Sequence, residues 1–211
     1  ADNSWTFESI FSPDDQWVLS DHKIKNTCVV PGTTYLEMAR FAVSHALNLD
    51  ALELQNIFFL QPMVVEESEQ RQVRITVSKQ DDAVKEQEIA SFLIESRDTN
   101  SDDESDWQQH VEGKATALTE SAGAAPDIEA IKKQLPDFEE HYNPEMDTGV
   151  FQFGPHWNSV RSSWTHDERF DKDALAKLSL PQDLQGELDS FLIHPSVLDN
   201  AMNLTSQNSG H

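Results

Sequence analysis

Cysteine is almost absent: Cys28 stands alone in 211 residues, so no disulfide can close within the chain and no thiolate cluster can hold a metal. Its setting, an apolar run, makes it a small buried hydrophobe. Basic residues are scarce as well. Fifteen Lys and Arg face 38 Asp and Glu, a formal charge of −23 that repels a phosphate backbone and argues against nucleic acid as a partner. Much of that excess lies in residues 98–106 and 137–145, where it reads as a solvated acidic face. No apolar run approaches the roughly 20 residues that span a bilayer, and the opening ADNSWTFESIF lacks the basic-then-apolar layout of a secretory signal. The expectation is a cytoplasmic protein without a membrane partner. Also missing are a Gly-rich phosphate loop, a nucleophile elbow and a dinucleotide fingerprint. His45, His110, His141, His156 and His166 have no carboxylate or cysteine spacing that points to a metal, so neither metal nor cofactor is expected.

What is present is a globular composition, 37% hydrophobic, enough for one large domain or two small ones. The densest information lies in residues 21–41, DHKIKNTCVVPGTTYLEMARF. Cys28, Val29 and Val30 form a β-prone run that Pro31 and Gly32 must end, because proline has no amide proton for a ladder. Thr33 or Thr34 can cap the helix that follows. Tyr35, Leu36, Met38, Ala39, Ala42, Val43, Ala46 and Leu47 recur at spacings of three and four, predicting an amphipathic helix to Leu47. His22 stands in the extended segment ahead of the turn, where it can meet a ligand at the helix's amino end.

Alternation of Trp5, Phe7, Ser9 and Phe11 predicts a strand, and residues 17–19 read as the start of another. After the helix, residues 52–65, 72–78, 86–96 and 107–117 read as antiparallel strands of a meander, too closely spaced for helical crossovers. One helix followed by these strands implies a helix wrapped by a single curved sheet. The small, flexible TESAGAAP segment divides the chain into an amino-terminal unit, 1–118, a linker, 119–145, and a carboxy-terminal unit, 146–211. Within the linker, residues 128–135 read as a short helix ended by Pro136. Beyond it come apolar segments around Phe153, Trp157, Val160 and Trp164, another at 174–180, and then LIHPSVLDNAMNL. There Pro195 opens a helical run of Val197, Leu198, Ala201, Met202 and Leu204. Pro31 is thus answered by Pro195 in a weak internal repeat. The second repeat is cut short, so either the chain continues past His211 or a partner covers the helix.

These residues resemble the dehydratase domains of modular polyketide synthases. His22, Asn26 and Pro31 align with that family's H-x-x-x-G-x-x-x-x-P motif, and Gly32, Tyr35, Leu36 and Ala39 with its PG-x-x-YLE-x-A continuation. Phe153, Gly154, Pro155 and Trp157 resemble Y-G-P-x-F; His194, Pro195, Leu198, Asp199 and Asn203 resemble HP-x-LLD-x-x-x-Q/H. Three departures stand out. Asn26 replaces a glycine, Phe151 and Phe153 replace tyrosines, and Asn203 replaces Gln or His. The family's Leu-Pro-Phe segment lies downstream of these motifs and is not found in these residues.

The resemblance implies an α+β double hotdog, two antiparallel sheets each wrapping a central helix, with the second hotdog truncated at the carboxy terminus. It implies elimination of water from a 3-hydroxyacyl thioester carried on the phosphopantetheine of an acyl carrier protein. His22 would be the base and Asp199 the acid, with Asn26, Pro31, Gly32, Phe153, Gly154, Pro155 and Asn203 around the substrate. Such chemistry needs Asp199 protonated in an apolar pocket, for which Leu198, Met202 and Phe153 are candidates, and fixed donors for an enolate oxygen, for which the amides near Gly32 are candidates. Lys23, Lys25 and Arg40 are candidate contacts for an acidic carrier. Neighbouring synthase domains are implied as partners, and a homodimer stays open. Three functions remain in view: the dehydratase, a double-bond isomerase or heterocycle-forming (pyran synthase-like) domain, and a non-catalytic scaffold.

Overall fold

A sixteen-residue helix forms the centre of the amino-terminal part, because Tyr35, Ala39, Ala42 and Val43 give it one continuous apolar face, each at most 2% exposed. The computed structural model describes residues 3–80, 89–118, 123–135, 137–140, 147–165 and 174–203. His141, His166, Pro136, Leu204, residues 86–88 and parts of the expected linker lie outside the described residues.

In chain order the elements are β1 (Ser4–Phe11), α1 (Trp17–Ser20), β2 (His22–Ile24), β3 (Thr27–Val29), α2 (Gly32–Leu47), β4 (Leu52–Phe59), β5 (Val64–Val65), β6 (Arg71–Gln80), β7 (Ile89–Asp98) and β8 (Gln108–Ala117). They are followed by α3 (Ile128–Lys132), β9 (Asp137–Glu140), β10 (Phe151–Phe153), β11 (Val160–Thr165), β12 (Ala174–Leu178) and α4 (Pro195–Asn203). Short 3₁₀ segments occupy Glu104–Asp106, Pro155–Trp157 and Gln185–Ser190.

Sheet order β1-β6-β7-β8-β4 wraps α2, all neighbours antiparallel. Period-two side chains Val73, Ile75 and Val77 of β6, Phe92 and Ile94 of β7, and Val111 and Ala115 of β8 close the core against the helix. The meander holds for β6, β7 and β8. β4, however, pairs with the far edge of β8 and not with the strands that follow it in sequence. Gly113 is required by closeness: a Cβ there would lie 2.5 Å from the Phe92 ring across the β7–β8 pair.

Two local expectations are corrected. Residues 17–19 form the helical turn α1 and not a strand, since Ser12 O accepts from the Asp15 and Gln16 amides and curls the chain, burying Val18 and Leu19. Apolar spacing over so few residues does not separate strand from helix. Nor does threonine cap α2: Pro31 is the N-cap, extended at ψ 148°, and Thr33 and Thr34 sit inside the first turn with buried hydroxyls that lack hydrogen-bond partners. The helix ends at Asn48, left-handed at φ 52°.

A second sheet, β10-β2-β3-β5, takes one strand from the later part of the chain and three from the earlier part. The third, β12-β11-β9, lies in the later part, with α4 against β12 and α2. Residues 119–145, read above as a linker, include α3 and β9, the latter paired in register with β11.

Candidate functional site

The hairpin β2–β3 turns on two residues, Lys25 at φ 50° and Asn26 at φ 65°. Positive φ at both central positions defines the type I′ turn that matches strand twist, and asparagine is among the few residues that enter it readily. Asn26 therefore does what the expected glycine would do. Its side chain is exposed and paired with Gln152: Gln152 Nε2 donates to Asn26 Oδ1 at 2.9 Å, and the Asn26 amide donates to Gln152 Oε1 at 2.9 Å. Lys25 N donates to Val150 O at 2.7 Å. These bonds lock the register in which Phe153 lies opposite His22.

His22, 9% exposed, donates from Nδ1 to the Val29 carbonyl at 2.7 Å. A carbonyl can only accept, so Nδ1 carries the proton and Nε2 keeps its lone pair. Burial holds the imidazole below its ordinary pKa, against the opposing pull of the Val29 carbonyl and the Asp199 charge. The ring is flanked by Phe153 and Trp157, at 5.6 and 5.2 Å between centroids. Pro31 and Gly32 then start α2, with Gly32 close to the Phe59 ring.

The opposite wall comes from the segment 153–159 and α4. Ser196 Oγ donates to His156 O at 2.7 Å, and Asn200 Nδ2 donates to Trp157 O and Ser159 Oγ, both at 2.8 Å. That docking turns Asp199, one residue earlier, toward Trp157, whose indole Nε1 donates to Asp199 Oδ2 at 2.9 Å. One carboxyl oxygen is thereby held; among the described residues no hydrogen bond holds the other. Asn203 donates to the Asp199 backbone carbonyl at 3.0 Å. His194 takes a structural place: its carbonyl accepts from Leu198 N, its Nδ1 lies 3.2 Å from Ser196 Oγ, and its ring stacks on Trp17 at 5.0 Å.

His22 and Asp199, from opposite ends of the chain, thus meet around one indole. Phe153 lies opposite His22 and stacks on Trp157, and Gly154 and Pro155 join the two. Of the apolar residues expected around Asp199, Phe153 and Leu198 are partly buried, whereas Met202 is 64% exposed. Two of the three expected carrier-contact cations are engaged within the chain, Lys23 with Glu67 at 3.0 Å and Arg40 in a two-point pair with Glu37. Lys25 is exposed.

Two residues of the site carried only a partial sequence signal. Trp157 matched a motif position as an aromatic ring; its N–H was the part that mattered. Glu37, 6% exposed, accepts from Arg40 and from the Leu192 and Ile193 amides at 3.4 and 3.3 Å, tying α2 to the segment that leads into α4. A charged residue inside the apolar period of α2 was the available clue. Among the described residues no group of three His, Cys, Asp or Glu side chains is placed to hold a metal, and no helix is long and apolar enough to cross a membrane. A cavity of about 570 Å³ opens between β1, α1, α2 and β6, lined by Phe7, Phe11, Trp17, Met38 and Phe41 among others, apart from His22 and Asp199.

Comparison with known proteins bears on the family and the fold. The family model "Polyketide synthase dehydratase domain" matches residues 1–96 and "Polyketide synthase dehydratase N-terminal domain" matches residues 124–207. Polyketide synthase PksN of Bacillus subtilis (strain 168) is 28% identical over 209 residues, 95% of this chain and 4% of PksN. The Spectinabilin polyketide synthase system protein NorA' of Streptomyces orinoci is 27% identical over 88% of this chain and 5% of its own length. The chain therefore spans about a twentieth of the length of these curated relatives. Among solved structures, a trans-AT PKS dehydratase domain from Brevibacillus brevis superposes with TM-score 0.80 at 26% identity, covering 98% of this chain and 71% of that one. The dehydratase domain from the CurF module of curacin polyketide synthase gives TM-score 0.81 at 23% identity, with 98% and 71% coverage.

Proposed function

The chain belongs to the polyketide synthase dehydratase domain family and has its double hotdog fold, and from that premise we propose that it removes water from a 3-hydroxyacyl thioester borne on the phosphopantetheine arm of an acyl carrier protein. His22 Nε2 takes the proton from the carbon next to the carbonyl. Asp199, protonated on the oxygen not held by Trp157, gives that proton to the departing hydroxyl and is left as the carboxylate; the C–O bond breaks and the 2,3-enoyl thioester and water leave. The observation that carries this reading is the convergence of a buried, Nδ1-protonated His22 and Asp199 on the single side chain of Trp157.

Three further points support it. Burial keeps His22 neutral, the form a base needs. Gly32 stands at the amino end of α2, where the helix dipole favours a developing enolate oxygen. Among the solved relatives, two CurK dehydratase structures are described as inactive mutants, one with a histidine changed to phenylalanine and one with an aspartate changed to asparagine. The matched relatives are large synthases, so neighbouring synthase domains are the partners this reading implies.

The test is mass spectrometry of a carrier-bound 3-hydroxyacyl chain incubated with wild type, His22→Ala and Asp199→Asn. Wild type forms the dehydrated product and both variants lose it. Equal turnover in either variant sinks the assignment. Supplying the enoyl thioester separates dehydration from double-bond migration, and carrier binding without any turnover marks a scaffold.

A further inference from the structure

Asp21 and His156 have no part in the chemistry above, yet they are among the most constrained side chains near it. Asp21 Oδ2 accepts from His156 Nδ1 at 2.6 Å and from the His156 amide at 3.2 Å, while the Asp21 carbonyl accepts from Gly154 N at 2.9 Å. Three hydrogen bonds thus join the residue before His22 to the triplet before Trp157. On the other side of the ring, His156 Nε2 lies 3.2 Å from Glu187 Oε2 and 3.3 Å from Oε1. Both ring nitrogens face carboxylates, an arrangement satisfied in full only by the imidazolium. The ring also lies flat on Trp17, with centroids 4.1 Å apart and planes 8° from parallel, a contact that favours a cation.

Gly154 shows how tightly this contact is built. A Cβ there would lie 2.1 Å from Asp21 Cγ and 2.2 and 2.5 Å from its oxygens. With φ −89° the backbone is open to any residue, so space alone demands glycine.

We propose that the Asp21–His156 ion pair, closed by Glu187, is the positioning device of the site, fixing the spacing between His22 and the Trp157-held Asp199. His22 hangs from it through the peptide bond to Asp21; Asp199 hangs from it through the indole of the residue after His156. The inference rests on His22 and Asp199 being the reacting pair. Burial by itself would lower the His156 pKa, but its bonds to Asp21 and Glu187 outweigh burial and hold it above the ordinary value. His194, the other titratable group facing it among the described residues, is held low, first by burial and then by the His156 charge. The pair is therefore complete below pH 6.5 and is lost as pH rises through the raised His156 value.

The test compares full-length wild type, Asp21→Asn, Glu187→Gln and the Asp21→Ala/Gly154→Ala cycle, reading kcat and KM against pH and the NMR resonance of the Trp157 indole proton. Asp21→Asn should lower kcat by about 10- to 100-fold, the worth of a lost charge-assisted hydrogen bond, with KM within about threefold. Glu187→Gln, at a partly exposed position that tolerates change, should move the alkaline limb of kcat to lower pH. Gly154→Ala should be costly alone and nearly free in the Asp21→Ala background, where the obstructing carboxylate is gone. In Asp21→Asn the indole resonance should shift toward that of an unbonded indole. Additive losses in the cycle, an unmoved alkaline limb in Glu187→Gln, or an unmoved indole resonance in Asp21→Asn would each overturn the proposal. The indole readout does not need turnover, so it stands apart from the fate of His22→Ala, which judges the catalytic assignment alone.

Discussion

Trp157 donates its indole N–H to Asp199 Oδ2 at 2.9 Å while its ring lies 5.2 Å from that of His22. A tryptophan here brings something a phenylalanine would not: the same ring that walls the histidine also fixes one oxygen of the carboxylate. Phe151 and Phe153, at positions where tyrosines are usual, have no hydroxyl to offer, and the indole is the donor that the structure provides to Asp199.

Trp157→Phe keeps an aromatic wall and removes the donor. Turnover should fall roughly 10- to 100-fold, the equivalent of one hydrogen bond to a charged group. Urea denaturation alongside steady-state kinetics separates this from the packing loss at a buried ring, which should cost about 0.5–3 kcal/mol of stability and leave the folded fraction active enough to assay.

With His22 as the proposed base, its pKa, lowered by burial, places the acidic limb of the rate profile below pH 6.5. As pH falls through that value the base protonates and turnover is lost. In the same window the unfolded chain binds more protons than the folded one at this position, so His22 withdraws stability as pH falls below 6.5. An imidazole NMR titration of His22, set beside the pH–rate profile, checks both statements.

The β2–β3 turn makes Asn26 a sensitive position. Asn26→Gly should leave stability almost unchanged apart from the lost Gln152 pair, because glycine enters φ 65° freely. Asn26→Val should cost about 1–2 kcal/mol, the price of a left-handed β-branched residue. Chemical denaturation of the two variants gives the comparison directly.

Glu37 joins α2 to the segment before α4, and its loss strands the Arg40 guanidinium and two amides. Glu37→Ala should destabilise by about 2 kcal/mol, less than a fully buried pair because Arg40 keeps some solvent. Hydrogen exchange should show the Leu192 and Ile193 amides opening first.

What could be read from the sequence was local. Pro31 and Pro195 each announce a helix because proline fixes φ and ends a ladder, and the 3.6 period of Tyr35, Ala39, Ala42 and Val43 needs no knowledge of a partner. His22 and Asp199 were legible through motif resemblance, and the structure brings them to one indole. The rest depended on residues far apart in the chain. Asp21 and His156 are 135 positions apart, and neither local pattern points to the other. The turn at residues 17–20 was too short for periodicity to decide. The pairing of β4 with β8 skipped its sequence neighbours, and β9 lay hidden in a stretch whose acidic composition resembles a loop.

The strand that carries His22 has a further consequence, for the order in which the protein can be made. One neighbour of β2 is β3, present almost at once, but the other is β10, joined through contacts such as Asn26 to Gln152 that span 126 positions. On the ribosome, β2 therefore waits with an open edge while the whole wrapped-helix unit is synthesised, a state in which strands seek other partners. Severing the chain between the two halves would leave that edge permanently unpaired, so co-expressed fragments should recover the environment of His22 only when they associate.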